Sequence, residues 1–245
     1  MAYLMGLDKD YEMMQRDAGP GPAEDEQNQE KIVLEGLGPR TSARLHDAGM
    51  SLVDIGCNIG TYALSATVLG YQVLAMDPVK DSLQLLADSL RLNNLTERAT
   101  LLLNAVSDVR GPVIVEVNGE NRGGTWVRHA EPGAAIDSPG PVVRAVCLDD
   151  LTQYVRTPRV FLKMDIEGSE ERALRCAGQF FQHVDVRYVL MEWLFHRNSK
   201  GGAAIIHFLT RNGLLPYSDV QPANRHVLLP ENYHTWPDNV FWIKR

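Results

Sequence analysis

The chain has 245 residues, of which 44% are hydrophobic and 22% are charged, and its formal net charge is -7. This length and composition suit one α/β domain with a substantial core rather than two full domains. The acidic balance excludes broad, nonspecific binding to nucleic acid or to anionic membranes. No apolar run long enough to span a bilayer and no signal peptide is visible, so we expect no membrane contact within this chain. We therefore expect a cytoplasmic protein, with the secretory-pathway lumen as the alternative if an N-terminal anchor has been removed.

Three cysteines, Cys57, Cys147 and Cys176, are far apart in the sequence and odd in number. Their spacing shows neither a disulfide framework nor a zinc site. No base or cation next to Cys57 marks it as a nucleophile, so we interpret it as a small packing residue.

The first 50 residues read as a polar leader with short helical stretches, and residues 51–245 form the predicted domain. Strand-length and helix-length segments then alternate: strand Leu52–Ile55, helix Thr61–Leu69, strand Gln72–Met76, helix Lys80–Leu92 and strand Ala99–Asn104. Strands separated by helices imply parallel pairing with right-handed crossovers.

A glycine-rich turn, Asp54-Ile-Gly56-Cys-Asn58-Ile-Gly60, follows the first strand, and the second strand stops at Asp77. Glycines let the backbone approach a ligand, and a carboxylate at the next strand tip is placed to accept hydrogen bonds from ribose hydroxyls. The dinucleotide fingerprint GxGxxG is absent, because Asn58 stands where its second glycine should be. Asp54 disfavours a pyrophosphate and suits a ligand with a cationic amine. The alternative is an ordinary turn whose glycines serve only geometry.

Residues 111–146 interrupt the alternation. Val113–Val117 and Val142–Cys147 alternate like strands, with glycine- and proline-containing segments between them. We predict a β-rich insertion over about residues 111–146, and such loops over a site commonly carry substrate contacts. Trp126 within it is predicted either to stack on a sugar ring or to fill the core of the insertion.

A second dense group of polar residues ends the strand that follows the insertion. Lys163 and Asp165 share one face of this strand, and a lysine in an apolar strand is costly unless its charge is paired. Glu167 follows, the next strand ends at Glu192, and His196 lies shortly beyond it. The carboxyl ends of parallel strands meet at one crevice, so we expect these side chains to lie together.

The remaining elements complete the domain: strand Arg159–Asp165, helix Glu170–Phe181, strand Tyr188–Glu192, helix Ala203–Asn212 and strands Leu214–Ser218 and Val240–Lys244. The two closing strands predict an antiparallel hairpin at the sheet edge. Asp149 and Asp150 are predicted either to cap the segment Leu151–Val155 or to contact a ligand.

Three ordered motifs resemble the FkbM family of methyltransferases: DIGCNIGTYAL from Asp54, LDDL from Leu148 and LKMDIEGSEERAL from Leu162. The chain departs from the family pattern at Cys57, where alanine is usual, and at Asp77, where glutamate is commoner. The resemblance implies a Rossmann-like class I methyltransferase fold, an α/β domain with a mostly parallel sheet and helices on both faces. To this the residues add the antiparallel C-terminal hairpin and the β-rich insertion. The resemblance also implies S-adenosylmethionine (SAM) as cofactor and O-methylation of natural-product or sugar hydroxyls.

The resemblance and the fold it implies also assign the cofactor residues. Asp54 and the Gly56–Gly60 loop face the methionine part, Asp77 holds the ribose and Asp165 lies nearest the methyl group. The strand-tip positions add further residues: Asn58 and Tyr62 at the methionine pocket, and Asn104, Ala105 and Val106 at the adenine.

A hydroxyl acceptor needs its proton removed or its oxygen polarised. Asp165, Glu167, Glu192 and His196 are the candidates, with Glu192 or His196 as general base and Lys163 fixing the orientation or charge of a carboxylate. Trp126, Glu167, Glu192 and His196 are predicted to contact the acceptor, a small molecule or a glycan. In the competing mechanism, Asp165 and Glu192, with His196 as a further ligand, coordinate Mg²⁺ or Mn²⁺.

Two other functions stay open at this point. One is N-methylation of a small molecule or a protein; the other is a non-catalytic nucleotide-binding module that interacts through its leader and insertion. Four strand-associated acids, Asp54, Asp77, Asp165 and Glu192, favour an enzyme, since a purely structural sheet has no need for them. His196 also has an interpretation as a surface residue, and the sequence makes no prediction of the oligomeric state.

Overall fold

A computed structural model describes residues 49–117, 125–129, 140–220 and 225–245. The leader predicted for residues 1–50 therefore lies outside the described residues except at its last two positions. Within the described residues, no helix is both long and apolar enough to cross a lipid bilayer.

The described residues form eleven strands and five α-helices. The strands are β1 (Met50–Ile55), β2 (Gln72–Asp77), β3 (Ala99–Leu103), β4 (Ala105–Val106), β5 (Gly111–Val117), β6 (Thr125–His129), β7 (Val142–Val146), β8 (Arg159–Met164), β9 (Asp185–Glu192), β10 (Leu214–Tyr217) and β11 (Asn239–Lys244). The helices are α1 (Thr61–Val68), α2 (Lys80–Leu92), α3 (Glu170–Arg175), α4 (Gly178–His183) and α5 (Lys200–Arg211). Short 3₁₀ helices include Leu148–Tyr154, Leu194–His196 and Pro230–Thr235.

Seven strands form the main sheet in the order β3-β2-β1-β8-β9-β11-β10. The five strands from β3 to β9 run parallel, whereas β11 is antiparallel to both β9 and β10. The predicted mostly parallel sheet and its antiparallel C-terminal hairpin are thus confirmed. The last strand lies inside the sheet, between β9 and β10, so its neighbours cover both of its edges.

Helices cover both faces of this sheet, as predicted. Successive strand residues point to opposite faces, so Leu52 packs with the core beneath α1 and α2, whereas Val53 packs with the core beneath α3, α4 and α5. Burial on both faces explains why these strands are continuous apolar runs rather than alternating ones.

A second sheet forms the insertion, in the order β4-β7-β5-β6. The sequence predicted two strands there and a third main-sheet strand that continued to Asn104; instead that strand ends at Leu103, and β4 pairs in parallel with β7. The Asn104 side-chain amide donates to the carbonyl of Arg144 at 2.9 Å. The insertion is therefore anchored directly at the tip of β3, beside the carboxyl edge of the main sheet.

The helix predicted for Glu170–Phe181 is two short helices, α3 and α4, which break at Cys176 and Ala177. Asp149 caps the second of them, because its Oδ1 accepts a hydrogen bond from the Phe180 backbone N–H at 2.8 Å. Asp150 accepts from the Cys147 N–H at 2.9 Å at the start of its own 3₁₀ helix. Both aspartates serve as caps rather than lining the pocket described below.

Cys147 and Cys176 form a disulfide, and the expectation of no disulfide was wrong. The two cysteines are 29 positions apart in sequence, yet their Cα atoms are 5.3 Å apart because the 3₁₀ helix after β7 packs against the end of α3. Cys57 is the free cysteine and is buried, in agreement with its interpretation as a packing residue.

Candidate active site

A pocket of about 300 Å³ opens at the carboxyl ends of β1, β2, β8 and β9. This edge is where open α/β sheets bind ligands. The lining comes from the main sheet, its loops and the insertion: Ile55, Gly56, Asn58, Met76, Asp77, Pro78, Val79, Ser82, Asn104, Ala105, Val106, Thr125, Val127, Asp165, Ile166, Glu167, Ser169 and Glu192.

The glycine-rich loop crosses the top of the sheet in close contact with the β8 loop. The backbone N–H groups of Gly56 and Cys57 both donate to the carbonyl of Met76, at 2.9 and 3.1 Å. A Cβ at Gly56 would lie 1.8 Å from the backbone oxygen of Asp165, and φ there is +76°. Only glycine fits such a site, so this residue lets the two loops converge on one pocket.

Gly60, predicted to contact the cofactor, does not line the pocket. Its φ is +89°, and a Cβ there would lie 2.4 Å from Cδ1 of Leu86. Its small size allows α1 to begin close against α2.

Asp77 ends β2 and lines the pocket while largely buried. Its Oδ2 accepts a hydrogen bond from the Asn58 N–H and its Oδ1 accepts from the Val79 N–H, each at 2.8 Å. Burial raises the pKa of Asp77, and these two hydrogen bonds oppose that rise. Each oxygen keeps a second lone pair, so the carboxylate fits the two vicinal hydroxyls of a ribose.

Replacing Asp77 with alanine is expected to weaken SAM binding by about 1–3 kcal/mol, because the ribose hydroxyls lose a charged acceptor. Calorimetric titration of SAM measures this change. Asp81→Ala is the matched control, since Asp81 is an exposed acid that does not line the pocket. Unchanged affinity in a folded Asp77→Ala protein would mean that the ribose binds elsewhere.

Lys163 lies beneath the pocket between two aspartates and is almost fully buried. Its Nζ is 3.3 Å from Asp54 Oδ1 and 3.4 Å from Asp165 Oδ2, and it donates to the Gly56 carbonyl at 3.1 Å. Burial alone would lower the pKa of Lys163, but the two carboxylates overcome it and raise that pKa. Lys163 is therefore a fixed cation that orients Asp165 and holds the glycine loop.

Two residues predicted to contact the cofactor, Asp54 and Tyr62, lie next to Lys163 and do not line the pocket. Asp54 is fully buried and absent from the pocket lining; burial raises its pKa, while Lys163 lowers it. Tyr62 does not line the pocket either, and its ring lies 5.3 Å from Lys163 Nζ. Asp54 faces Lys163 because the two residues are directly paired on β1 and β8. Their charges therefore neutralise each other inside the sheet.

Three carboxylates, those of Asp165, Glu167 and Glu192, converge in the pocket after β8 and β9. Each offers an oxygen within 4.8 Å of the others. Burial, followed by the negative charges of Asp165, Glu167 and Glu170, raises the pKa of Glu192 to about 7. Glu192 Oε2 is buried without a hydrogen-bond partner among the described residues. Such a carboxyl group is suited to exchange a proton near neutral pH.

His196, predicted as base, acceptor contact and metal ligand, does not line the pocket. It is 2% exposed, and its Nε2 lies 2.8 Å from Oε2 of the fully buried Glu170. The interpretation of His196 as a surface residue is also wrong. The 3₁₀ turn after β9 directs the ring into the core, where it contacts Trp193 with ring centroids 5.4 Å apart.

The insertion contributes Thr125 and Val127 to the pocket, and neither residue was predicted from the sequence. Trp126, predicted to contact the acceptor, lies between them and does not line the pocket, because neighbouring residues of a strand point to opposite faces. Its Nε1 donates to Glu116 at 2.7 Å, and the residue is 46% exposed. The alternation of side chains along β6 indicates that Thr125 and Val127 share one face and that Trp126 lies on the other. It does not indicate which of the two faces lines the pocket.

The predicted adenine-side residues Asn104, Ala105 and Val106 line the pocket on the insertion side. Gly56, Asn58 and Asp77 line it at the tips of β1 and β2, and the three carboxylates follow from the tips of β8 and β9. This arrangement separates a region suited to a nucleoside from an acidic region suited to a reacting group.

The family model described as the methyltransferase FkbM domain matches residues 54–216. Among solved structures, the chain is similar to magnesium protoporphyrin IX methyltransferase from Synechocystis PCC 6803 with bound SAM, at 12% identity over 97% of this chain and 92% of that chain, with a TM-score of 0.47. It is similar to an rRNA methylase from Streptococcus thermophilus at 12% identity over 83% and 91%, with a TM-score of 0.44. It is also similar to a SAM-dependent O-methyltransferase from Thermotoga maritima at 11% identity over 98% and 71%, with a TM-score of 0.37.

A search of curated protein sequences finds no significant match. The family match covers about two thirds of the chain and spans the glycine loop, Asp77 and all three carboxylates of the pocket. The chain belongs to the FkbM-domain methyltransferases and is a SAM-dependent methyltransferase.

Proposed function

We propose that this enzyme transfers a methyl group to a hydroxyl of a carbohydrate or another small polyol, with Glu192 as the general base. One observation carries the proposal: Glu192 lines the pocket beside Asp165 and Glu167, where burial and these neighbouring acids raise its pKa to about 7. A hydroxyl is a weak nucleophile, so a base that is ionised at neutral pH and still holds a proton well is what the reaction needs.

SAM, when bound, supplies an electrophilic methyl group on its sulfonium. Asp77 and the glycine loop would hold the nucleoside, and the sulfonium would supply its methyl group to the acceptor. The acceptor oxygen forms its bond to the methyl carbon as the sulfur–carbon bond breaks, and Glu192 takes the hydroxyl proton. Asp165, whose Oδ2 lies 3.4 Å from Lys163 Nζ, is held in place and helps to align the acceptor.

The hydroxyl-rich acceptor class rests on the chemistry of the pocket end as well as on the family resemblance. Asp165, Glu167 and Glu192 present carboxylate oxygens, and Ser169 adds a hydroxyl. Carboxylates only accept hydrogen bonds, so several of them side by side favour an acceptor with several O–H donors.

N-methylation is the second candidate, and the same cluster is the observation that favours it. Three carboxylates with one neighbouring lysine leave this region negative, which attracts an ammonium group. An amine bound in this way must still lose its proton before attack, and Glu192 would again accept it. The family assignment leaves no support for the third alternative, a non-catalytic nucleotide-binding module.

A product screen separates these candidates. The wild-type enzyme is incubated with isotopically labelled SAM and panels of sugars, polyols, amines and peptides, and the products are analysed by mass spectrometry. Methyl ethers on hydroxyl acceptors are the expected result. Methylated amines without methyl ethers would replace this proposal with N-transfer.

A divalent metal is the alternative to a side-chain base. The set of candidate metal ligands in the structure differs from the predicted one. Glu167 lies with Asp165 and Glu192, whereas His196 is hydrogen-bonded to Glu170 instead. Carboxylates are the ligands that Mg²⁺ and Mn²⁺ prefer. With Glu192 as base, methylation is expected to survive exhaustive dialysis against EDTA. Loss of activity that added Mg²⁺ or Mn²⁺ restores would show that a metal polarises the acceptor instead.

We also propose that the protein works in an oxidising compartment such as the secretory-pathway lumen. The disulfide between Cys147 and Cys176 supports this, because such bonds are rare in the reducing cytosol. Thiol labelling of denatured protein from oxidising expression should detect one free cysteine, Cys57. Reduction should lower the free energy of unfolding by about 2–4 kcal/mol. Three labelled thiols, or no change on reduction, would contradict this proposal.

A further inference from the structure

Two buried ionisable side chains connect the loops that carry the acids of the pocket. Glu170 begins α3, directly after the β8 loop, and is fully buried. His196 ends the 3₁₀ helix that follows Glu192 and is 2% exposed. Oε2 of Glu170 and Nε2 of His196 are 2.8 Å apart, so one hydrogen bond joins the segment after β8 to the segment after β9.

The other oxygen of Glu170 holds the β8 loop itself. Its Oε1 accepts a hydrogen bond from the Ile166 backbone N–H at 2.9 Å. Ile166 lies between Asp165 and Glu167, and Glu167 has a φ of +53° in the left-handed region that residues with a Cβ rarely adopt. A loop with such a backbone needs fixed partners to persist, and the Glu170 carboxylate is one of them.

His196 is in turn fixed to the core. Its backbone N–H donates to the Trp193 carbonyl at 2.9 Å, and Trp193 is fully buried. The same two segments also touch at Gly168, where a Cβ would lie 3.1 Å from Cβ of Phe195. The position of Asp165 and Glu167 relative to Glu192 is therefore set by two neighbouring contacts, one polar and one apolar.

We infer that Glu170 and His196 are positioning residues, which hold the Asp165–Glu167 loop at a fixed distance from Glu192 during methyl transfer. This inference rests on the proposed function of the three acids. A buried ionisable pair is seldom more stabilising than well-packed apolar residues, so its contribution here is to geometry. A displacement of about 1 Å at a reaction centre costs up to about 10²-fold in rate.

The first test compares two substitutions that differ only in the hydrogen bond to Glu170. His196→Leu removes it, whereas His196→Gln keeps an amide donor. With the acceptor found in the product screen, His196→Leu should lower kcat about 10- to 100-fold while the KM for SAM changes less than about threefold. His196→Gln should recover most of this loss. His207→Leu, at an exposed position of α5, is the control and should leave kcat unchanged.

The second test needs no acceptor, so it stays informative if the proposed function fails. Amide hydrogen exchange is measured in peptides that cover residues 163–170 and, for comparison, residues 72–77 of β2. His196→Leu should accelerate exchange in the first peptide alone, because His196 no longer fixes the Glu170 carboxylate that accepts from the Ile166 N–H. Equal acceleration in both peptides, or an unchanged loop together with an unchanged kcat, would overturn the inference. Selective acceleration without any detectable methylation by the wild type would overturn the proposed function only.

Discussion

Replacing Glu192 with glutamine is expected to lower kcat by about 10²–10⁴-fold, because general bases contribute this much and an amide cannot accept the proton. SAM affinity should change little, since in the proposed binding mode Asp77 and the glycine loop, at the tips of β2 and β1, hold the nucleoside. Steady-state kinetics with the identified acceptor and calorimetry with SAM measure the two quantities separately. A Glu192→Gln enzyme with more than about a tenth of wild-type kcat would exclude Glu192 as the base.

The pH dependence gives this prediction a second, independent readout. Glu192 must be ionised to act as a base, and its pKa is near 7, so kcat/KM should fall below about pH 7 and reach a plateau above it. In the SAM complex the positive sulfonium favours the carboxylate form of Glu192 and so lowers its pKa. The fall in kcat should therefore occur at a lower pH than the fall in kcat/KM.

Glu167→Gln is the matched comparison within the same cluster. The negative charge of Glu167 helps to raise the pKa of Glu192, so its removal should shift the limb of kcat/KM toward lower pH. The rate at the plateau should fall much less than in Glu192→Gln. If the pH at which kcat/KM falls were the same in Glu167→Gln as in the wild type, a group other than Glu192 would be responsible for that fall.

Much of the main sheet could be predicted from the sequence because its signal is local. Apolar runs such as Leu52–Ile55 separated by helix-length segments leave few alternatives to parallel strands with crossovers. The insertion was harder, since β4 has only two residues and its pairing with β7 depends on contacts 40 positions apart in sequence. The break between α3 and α4 likewise lies where Cys176 meets Cys147, and a disulfide pairing depends on the folded structure rather than on spacing.

The site was predictable where the strand tip alone decides which way a side chain faces. Asp77 and Glu192 end strands at the ligand-binding edge, and both line the pocket. Asp54 does not line the pocket, because the interstrand register pairs it with Lys163. His196 follows Glu192 by only four positions, yet the direction of its ring depends on a 3₁₀ turn and on Glu170, 26 positions earlier. No periodic pattern encodes such a turn.

Replacing Lys163 with methionine is expected to lower the free energy of unfolding by about 3–5 kcal/mol, the cost of leaving a buried charge without its partner. The uncompensated charge is Asp54, which is fully buried and lies 3.3 Å from the ammonium group. Methionine has nearly the length of lysine, so little of the loss comes from packing. Urea unfolding at pH 7 measures the change.

Two comparisons show whether burial of the charge is the cause. Lys244→Met removes a lysine that pairs with Asp185 at 2.8 Å on the same sheet, but both side chains are partly exposed, so the expected loss is below about 1 kcal/mol. In the double variant Lys163→Met and Asp54→Asn, stability should recover in large part, because neither buried charge remains.

The stability of Lys163→Met should also depend on pH. Burial already raises the pKa of Asp54, and removing Lys163 removes the strongest influence that lowers it. A folded-state pKa above the unfolded value means that the folded protein binds more protons, so its stability rises as the pH falls toward the unfolded pKa near 4. The stability difference between wild type and Lys163→Met should therefore narrow from pH 8 to pH 5. A difference that stayed constant over this range would mean that Asp54 keeps its charge in the absence of Lys163.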